Sequence, residues 1–187
     1  MKQRKLLAIL GVVVLTATVC AWAGDTVIDP AQKYLLLATS KTGTMQKELD
    51  DAASQGFRIV TGAGVAGSEI AIILERIPEG SEKYVYKLLA TTKTSTMEKE
   101  LNANAKEGFR LLPRTMTAKE GFMSKEIVVV LERDPNLKGQ EFEYKLLATS
   151  LTGTLQKEMA AAAKEGYTIA AFASRGEHMV IMERAKK

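Results

Sequence analysis

The chain is poor in the residues that usually carry chemistry. Its single cysteine, Cys20, lies in the first two dozen residues, and its single histidine is His178. A lone cysteine excludes an internal disulfide and a multi-cysteine metal site. A lone histidine without a second histidine or a neighbouring thiolate is a poor metal ligand, and its place at the start of the last apolar run suits a strand end. No nucleophile elbow, phosphate-binding glycine loop or paired-histidine zinc motif occurs. No cofactor is expected on these grounds, and enzymatic catalysis has no support in the residues.

A long hydrophobic run is also missing. The most apolar stretch, Leu6–Val19, is shorter than the roughly 20 residues needed to cross a bilayer,. It follows Lys2, Arg4 and Lys5 and precedes Ala21-Trp22-Ala23, the small-x-small pattern read by signal peptidase,. Residues 1–23 are therefore expected to be a signal peptide cleaved after Ala23, giving a periplasmic or secreted protein. Lipidation at Cys20 is the alternative. The residues before it, Ala17-Thr18-Val19, lack the leucine and the small residue usual there.

Excess charge disappears with that segment. The chain has 26 basic and 22 acidic residues, and three of the basic ones are Lys2, Arg4 and Lys5, leaving 23 against 22. Nucleic-acid binding therefore has no electrostatic footprint. The expected product is a monomer without a stable membrane span.

What the chain does have is one sentence written three times. Tyr34–Arg58 aligns without a gap to Tyr86–Arg110 and to Tyr144–Thr168. Each copy then closes on an apolar run ending in Glu-Arg, at Glu75-Arg76, Glu132-Arg133 and Glu183-Arg184. A period of about 50 residues marks a repeat architecture. The copies span residues 34–80, 84–135 and 142–187, after a linker at 24–33. The stretch between the glycine and Glu-Arg varies in length, which points to a surface hairpin tip.

Each copy reads as strand, helix, strand, strand. Apolar residues at Met45, Leu49, Ala52 and Ala53 have the spacing of one helical face,. Ser95 with Glu98 three residues on has the form of a capping box. Gly56, Gly108 and Gly166 stand where a left-handed helix terminator is wanted. The third strand is the most continuously apolar and is expected in the middle, giving order 1-3-2 with the helix on one face. One helix covers one side of a sheet, so the other face must meet something. The expected fold is α+β, three tandem β-α-β-β repeats packed as a single-chain pseudo-trimer with sheets inward and helices outward. A row of units is the second choice.

The layout of Tyr84-Val85-Tyr86-Lys87, then a helix, then Glu107-Gly108-Phe109-Arg110-Leu111-Leu112, with Glu165-Gly166-Tyr167 in the last copy, resembles an uncharacterised family of short bacterial β-α-β-β domains. The resemblance covers Tyr34–Arg76, Tyr86–Arg133 and Tyr144–Arg184, and it implies a fold without an activity.

Threonines are the sharpest anomaly. Thr39, Thr42 and Thr44 recur as Thr91, Thr94, Thr96 and as Thr149, Thr152, Thr154, all before or at a helix start. There, hydroxyls and free N–H groups could hold an anion, aided by Lys41 and Lys93, although Leu151 replaces lysine in the third copy. The candidate binding residues are thus Thr42, Thr44, Thr94, Thr96, Thr152 and Thr154. Helix capping and loop tying are the structural reading of the same residues. Glu48, Glu100 and Glu158 could pair with the strand-end Glu-Arg set or face a partner. The tip 114–125 carries Met116, Phe122 and Met123 among basic residues and either folds back on the sheet or touches a partner. The alanines Ala160–Ala163 suit a helix by propensity alone.

These features lead to an exported, non-enzymatic repeat protein that serves as a binding or structural module of the cell envelope, with an envelope protein as partner. The alternative is a small-ligand or anion-binding protein, or an enzyme, with sites between repeats at the helix N-termini.

Overall fold

Each copy folds as the apolar pattern dictates. A computed structural model describes residues 29, 31–65, 68–120, 125–137, 139–174 and 176–186. The signal-peptide reading, Cys20, Phe122 and Met123 fall outside the described residues. The first unit contains β1 (Tyr34–Thr39), α1 (Thr42–Ser54), β2 (Phe57–Gly64) and β3 (Ile70–Arg76). The second contains β4 (Val85–Thr91), α2 (Thr94–Lys106), β5 (Arg110–Glu120) and β6 (Lys125–Arg133). The third contains β7 (Phe142–Thr149), α3 (Thr152–Lys164), β8 (Thr168–Ser174) and β9 (His178–Ala185).

Every sheet has three strands in the order first, third, second, as expected. The central strand pairs antiparallel with both neighbours, for example Leu36 with Ile73 and Phe57 with Arg76 in the first unit. The first two strands of each unit therefore run parallel, which is why a helical crossover must join them. Gly56, Gly108 and Gly166 all take φ between 82° and 88°, the left-handed conformation that ends each helix,. Among the described residues no helix is long and apolar enough to cross a membrane.

The three copies pack against one another within one chain, but α1 and α2 do not lie outward. Each is a filling between two sheets. Met97, Leu101 and Ala105 of α2 touch Leu89, Val129 and Leu131 of their own unit in the same core as Tyr144, Met179 and Ile181 of the next. Likewise α1 packs on β4. The physical reason is the one-sided cover noted above: a helix buries the front of its own sheet, and the bare back of the next sheet buries the other side of the helix. β2 also packs on β5, and β5 on β8, so the units are joined along their second strands as well.

The succession is open. α3 packs on β7 and β9 of its own unit, and neither end repeats the extensive α1–β4 or α2–β7 contact. Burial follows this polarity. Val128 and Val130 on the back of the second sheet are buried, whereas Ile73, the first unit's equivalent of Val130, is 42% exposed. Burial of the central strand on both faces thus holds for the second unit's β6 and fails for β3.

Length variation is not confined to the hairpin tips. All three second strands carry a bulge, at Ile59/Thr61, Leu112/Thr117 and Ile169/Ala171, and the second is the widest. The Thr115 hydroxyl patches this gap, accepting from Val130 N at 2.9 Å and donating to Leu112 O at 2.7 Å. Opposite it, β2 comes so close that a Cβ on Gly64 would stand 2.7 Å from Thr117 Oγ1. Met116 at the base of the tip folds back against the core.

Candidate functional site

The repeated polar residues meet at the joints between units. Tyr86 begins the second copy and is 1% exposed. Its hydroxyl accepts from Ile59 N of the first unit at 3.0 Å and donates to Glu132 at 3.2 Å. Arg58 of the first unit bonds the same carboxylate through Nε and Nη2, at 3.2 and 2.8 Å, and its guanidinium lies 4.1 Å from the Tyr84 ring centre. The second joint repeats the plan. Tyr144 accepts from Leu111 N at 2.9 Å, Arg110 bonds Glu183 at 2.6 Å, and Arg110 stacks on Phe142 at 4.1 Å. Burial raises the pKa of both tyrosines, pushing Tyr144 up to about 12 and Tyr86 further, because neither site accommodates a phenolate,.

The two halves of the Glu-Arg motif have different tasks. The glutamates Glu132 and Glu183 reach back to the preceding unit. The arginines close their own unit: Arg76 lies over Phe57, Arg133 over Phe109 and Arg184 over Tyr167, the aromatic after each terminating glycine. Arg76 also donates to Gln55 O and Arg184 to Glu165 O, at the helix C-termini where orphan carbonyls need donors,.

Helix side chains complete the joints by pairing with strand edges. Gln46 donates to Tyr86 O and accepts from Leu88 N. Asn102 does both for Tyr144, and Glu98 accepts from Leu146 N at 2.8 Å. The Ser95–Glu98 capping box is therefore not formed. Lys93 is the N-cap residue, without a side-chain cap bond, and the Glu98 carboxylate is committed to the next unit's unpaired edge. Such edges need partners, and a carboxylate or amide on the adjoining helix supplies them.

The threonines divide into two groups. Thr39, Thr91 and Thr149 tie the loop, each hydroxyl accepting from the N–H two residues on. Thr42, Thr94 and Thr152 open their helices, with Thr44, Thr96 and Thr154 two positions further, and none of the three helices has a side-chain cap bond. The six candidate binding residues stand at separate helix starts and do not converge on one centre. Thr42 alone among them lines a cavity of about 290 Å³ beside β4, whose wall also includes Glu100. His178 begins β9 as expected and stacks on Phe172 at 6.1 Å. Among the described residues no group of three or more metal-binding side chains converges.

One concavity lies at the first joint. It encloses about 710 Å³ between the end of the first unit's sheet (Val60, Ile77, Pro78) and the wide bulge of β5 (Pro113, Arg114, Thr115). A second hollow of about 210 Å³ shares Arg58, Leu112 and Pro113 with it. A third of about 430 Å³ shares Gly108, Asp134 and Leu137 with the second. We call this row of adjacent hollows the furrow; its walls mix apolar side chains such as Val60, Ile77 and Leu137 with charged ones, among them Arg58, Arg110 and Arg114. Comparison of the chain with family models, curated proteins and solved structures found no match.

Sequence reasoning missed the joint residues Arg58, Arg110, Gln46 and Asn102. One signal for some of them was present: Thr168 stands where the other copies have Arg58 and Arg110, and Ala160 where they have Asp50 and Asn102. Both changes fall in the third of the three copies.

Proposed function

We propose that this is an exported, non-enzymatic repeat protein of the cell envelope that works as a binding module, with the furrow as its ligand surface. The observation that carries the reading is the adjacency of the three hollows, each sharing wall residues with the next. Three adjacent hollows with mixed apolar and charged walls suit an extended polypeptide segment better than a compact metabolite. Arg114, on the rim, offers a cation to a carboxylate of the ligand. The tyrosine, arginine and glutamate sets are engaged in holding units together, which leaves them no free role in turnover.

The test is a photo-reactive residue in place of Val60, inside the furrow, and a control in place of exposed Lys47 on α1. One defined envelope protein crosslinked at position 60, absent at position 47 and lost on Arg114→Glu, is the expected result. Equal labelling at both positions, or turnover in a broad hydrolase and isomerase screen, would overturn the reading. Export is tested separately by N-terminal sequencing, which should begin at Gly24. A lipid-modified chain beginning at Cys20 would replace release by membrane anchorage.

A further inference from the structure

The array ends on two bare apolar faces, and each is half of a joint that the chain builds twice internally. At one end is the back of the first sheet. Tyr34 and Leu36 on β1 are 54% and 63% exposed, although their equivalents Tyr86 and Tyr144 are buried and Leu88 and Leu146 partly so. At the other end is the outer side of α3 with β8. Ile169 is 62% exposed, whereas its equivalents Ile59 and Leu111 are 7% and 2% exposed. Ala163 is exposed where Ala53 and Ala105 are buried. Repeat arrays that stay monomeric close their ends with polar capping faces. Both faces here are mainly apolar, the first edged by the Lys33–Glu75 ion pair and the second carrying Gln156.

We propose that copies of this protein associate head to tail, the α3–β8 face of one copy docking on the back of the β1–β3 sheet of the next. The occupant is a second copy because the internal joints already show that these two surfaces are complementary. Gln156 stands where Gln46 stands and offers the same amide to Leu36 N and to the second lone pair of Tyr34 O, which Gln32 Nε2 already meets at 2.7 Å. The Tyr34 hydroxyl meets Ile169 N as Tyr86 meets Ile59 N. Phe172 occupies the place of Gly62, which the wide β5 bulge approaches. The first unit's bulge is narrower, so the larger side chain has room. Two polar contacts are lost, since Thr168 and Ala160 replace Arg58 or Arg110 and Asn102. The contact between copies is therefore weaker than the internal joints and depends on concentration. Because the two faces differ, the contact is heterologous and propagates instead of stopping at a symmetric dimer.

Sedimentation velocity on the purified protein, from micromolar to millimolar concentration, tests this. The average mass should rise with concentration past that of a dimer. Leu36→Glu and Ile169→Glu change exposed side chains at opposite ends, so each variant should fold and remain monomeric alone. Mixed in equal amounts, they should form a dimer and nothing larger, because each supplies the face that the other lacks. A wild-type chain that stays monomeric throughout overturns the proposal. So does either variant associating on its own, which would mean that like faces pair.

Discussion

Arg58 in the first unit and Glu132 in the second form a forked ion pair across the first joint, with Nη2 2.8 Å from one carboxylate oxygen and Nε 3.2 Å from the other. Glu132 is 5% exposed, and its carboxylate takes its hydrogen bonds from Arg58 and from the Tyr86 hydroxyl. The pair joins the Tyr86–Ile59 and Gln46–Leu88 bonds in fixing the register of two units whose sheets and helices interleave. In the equivalent pair, Arg110 Nη2 bonds one oxygen of Glu183 at 2.6 Å, and the second oxygen of Glu183 is buried without a hydrogen-bond partner.

Removing Arg58 should therefore cost more than its own contacts. Arg58→Ala strands a buried carboxylate, and because the arginine is itself 43% exposed the loss should be about 1–3 kcal/mol,. Thr168→Ala, at the same repeat position in the last unit, should change stability by less than about 0.5 kcal/mol. Urea unfolding of the two variants checks the contrast. Equal effects would mean that the joint does not hold the array.

Alkali should loosen the joints. Tyr144 titrates near 12 in the folded chain against an ordinary value of 10.0, and Tyr86 lies higher still. Between those limits the unfolded chain has released protons that the folded chain retains, so stability falls as pH rises. It is fully present below pH about 10 and declines by about 1.4 kcal/mol per pH unit for each such tyrosine. Urea midpoints measured from pH 9 upward should show this fall, and Tyr144→Phe should reduce its slope while lowering stability at neutral pH.

Glycines at two kinds of place should respond in opposite directions. A Cβ on Gly64 would lie 2.7 Å from Thr117 Oγ1 and 2.9 Å from Ala118 O, where the backbone of β5 cannot yield. Gly64→Ala should cost about 1–3 kcal/mol. A Cβ on Gly43, in the first turn of α1, meets nothing within 4 Å. Gly43→Ala should be neutral or stabilise by up to about 1 kcal/mol. Thermal unfolding of the two variants would separate them.

The unit itself was legible because its determinants are local. Strand order followed from the apolar continuity of β6, and helix ends followed from Gly56, Gly108 and Gly166. The stacking was not legible, because it depends on the side of the helix that looks polar. Gln46 and Asn102 sit on a face that an amphipathic pattern assigns to water, yet each is spent on the next unit's strand edge. Glu98 was misread for the same reason: its spacing from Ser95 fits a cap, while its carboxylate serves Leu146 N. Spacing within one copy carries no record of the copy that follows. Only the departures at Ala160 and Thr168 set the third copy apart at the positions that make the joints.

Shared cores make the array one cooperative body. Leu89 on β4 is 9% exposed and belongs to the same cluster as Tyr144 and Ile181 of the third unit, with α2 between them. Leu89→Ala removes contacts on a layer that holds two sheets, so it should cost about 2–5 kcal/mol. The loss should appear in a single unfolding transition of the whole chain, since a unit of this size has too little core to persist alone. Denaturant unfolding followed both by far-UV circular dichroism and by hydrogen exchange in each helix provides the check. Coincident transitions, all shifted by Leu89→Ala, are expected. If α3 or α1 keeps its protection while α2 loses it, the units unfold independently and the interleaved core does not couple them.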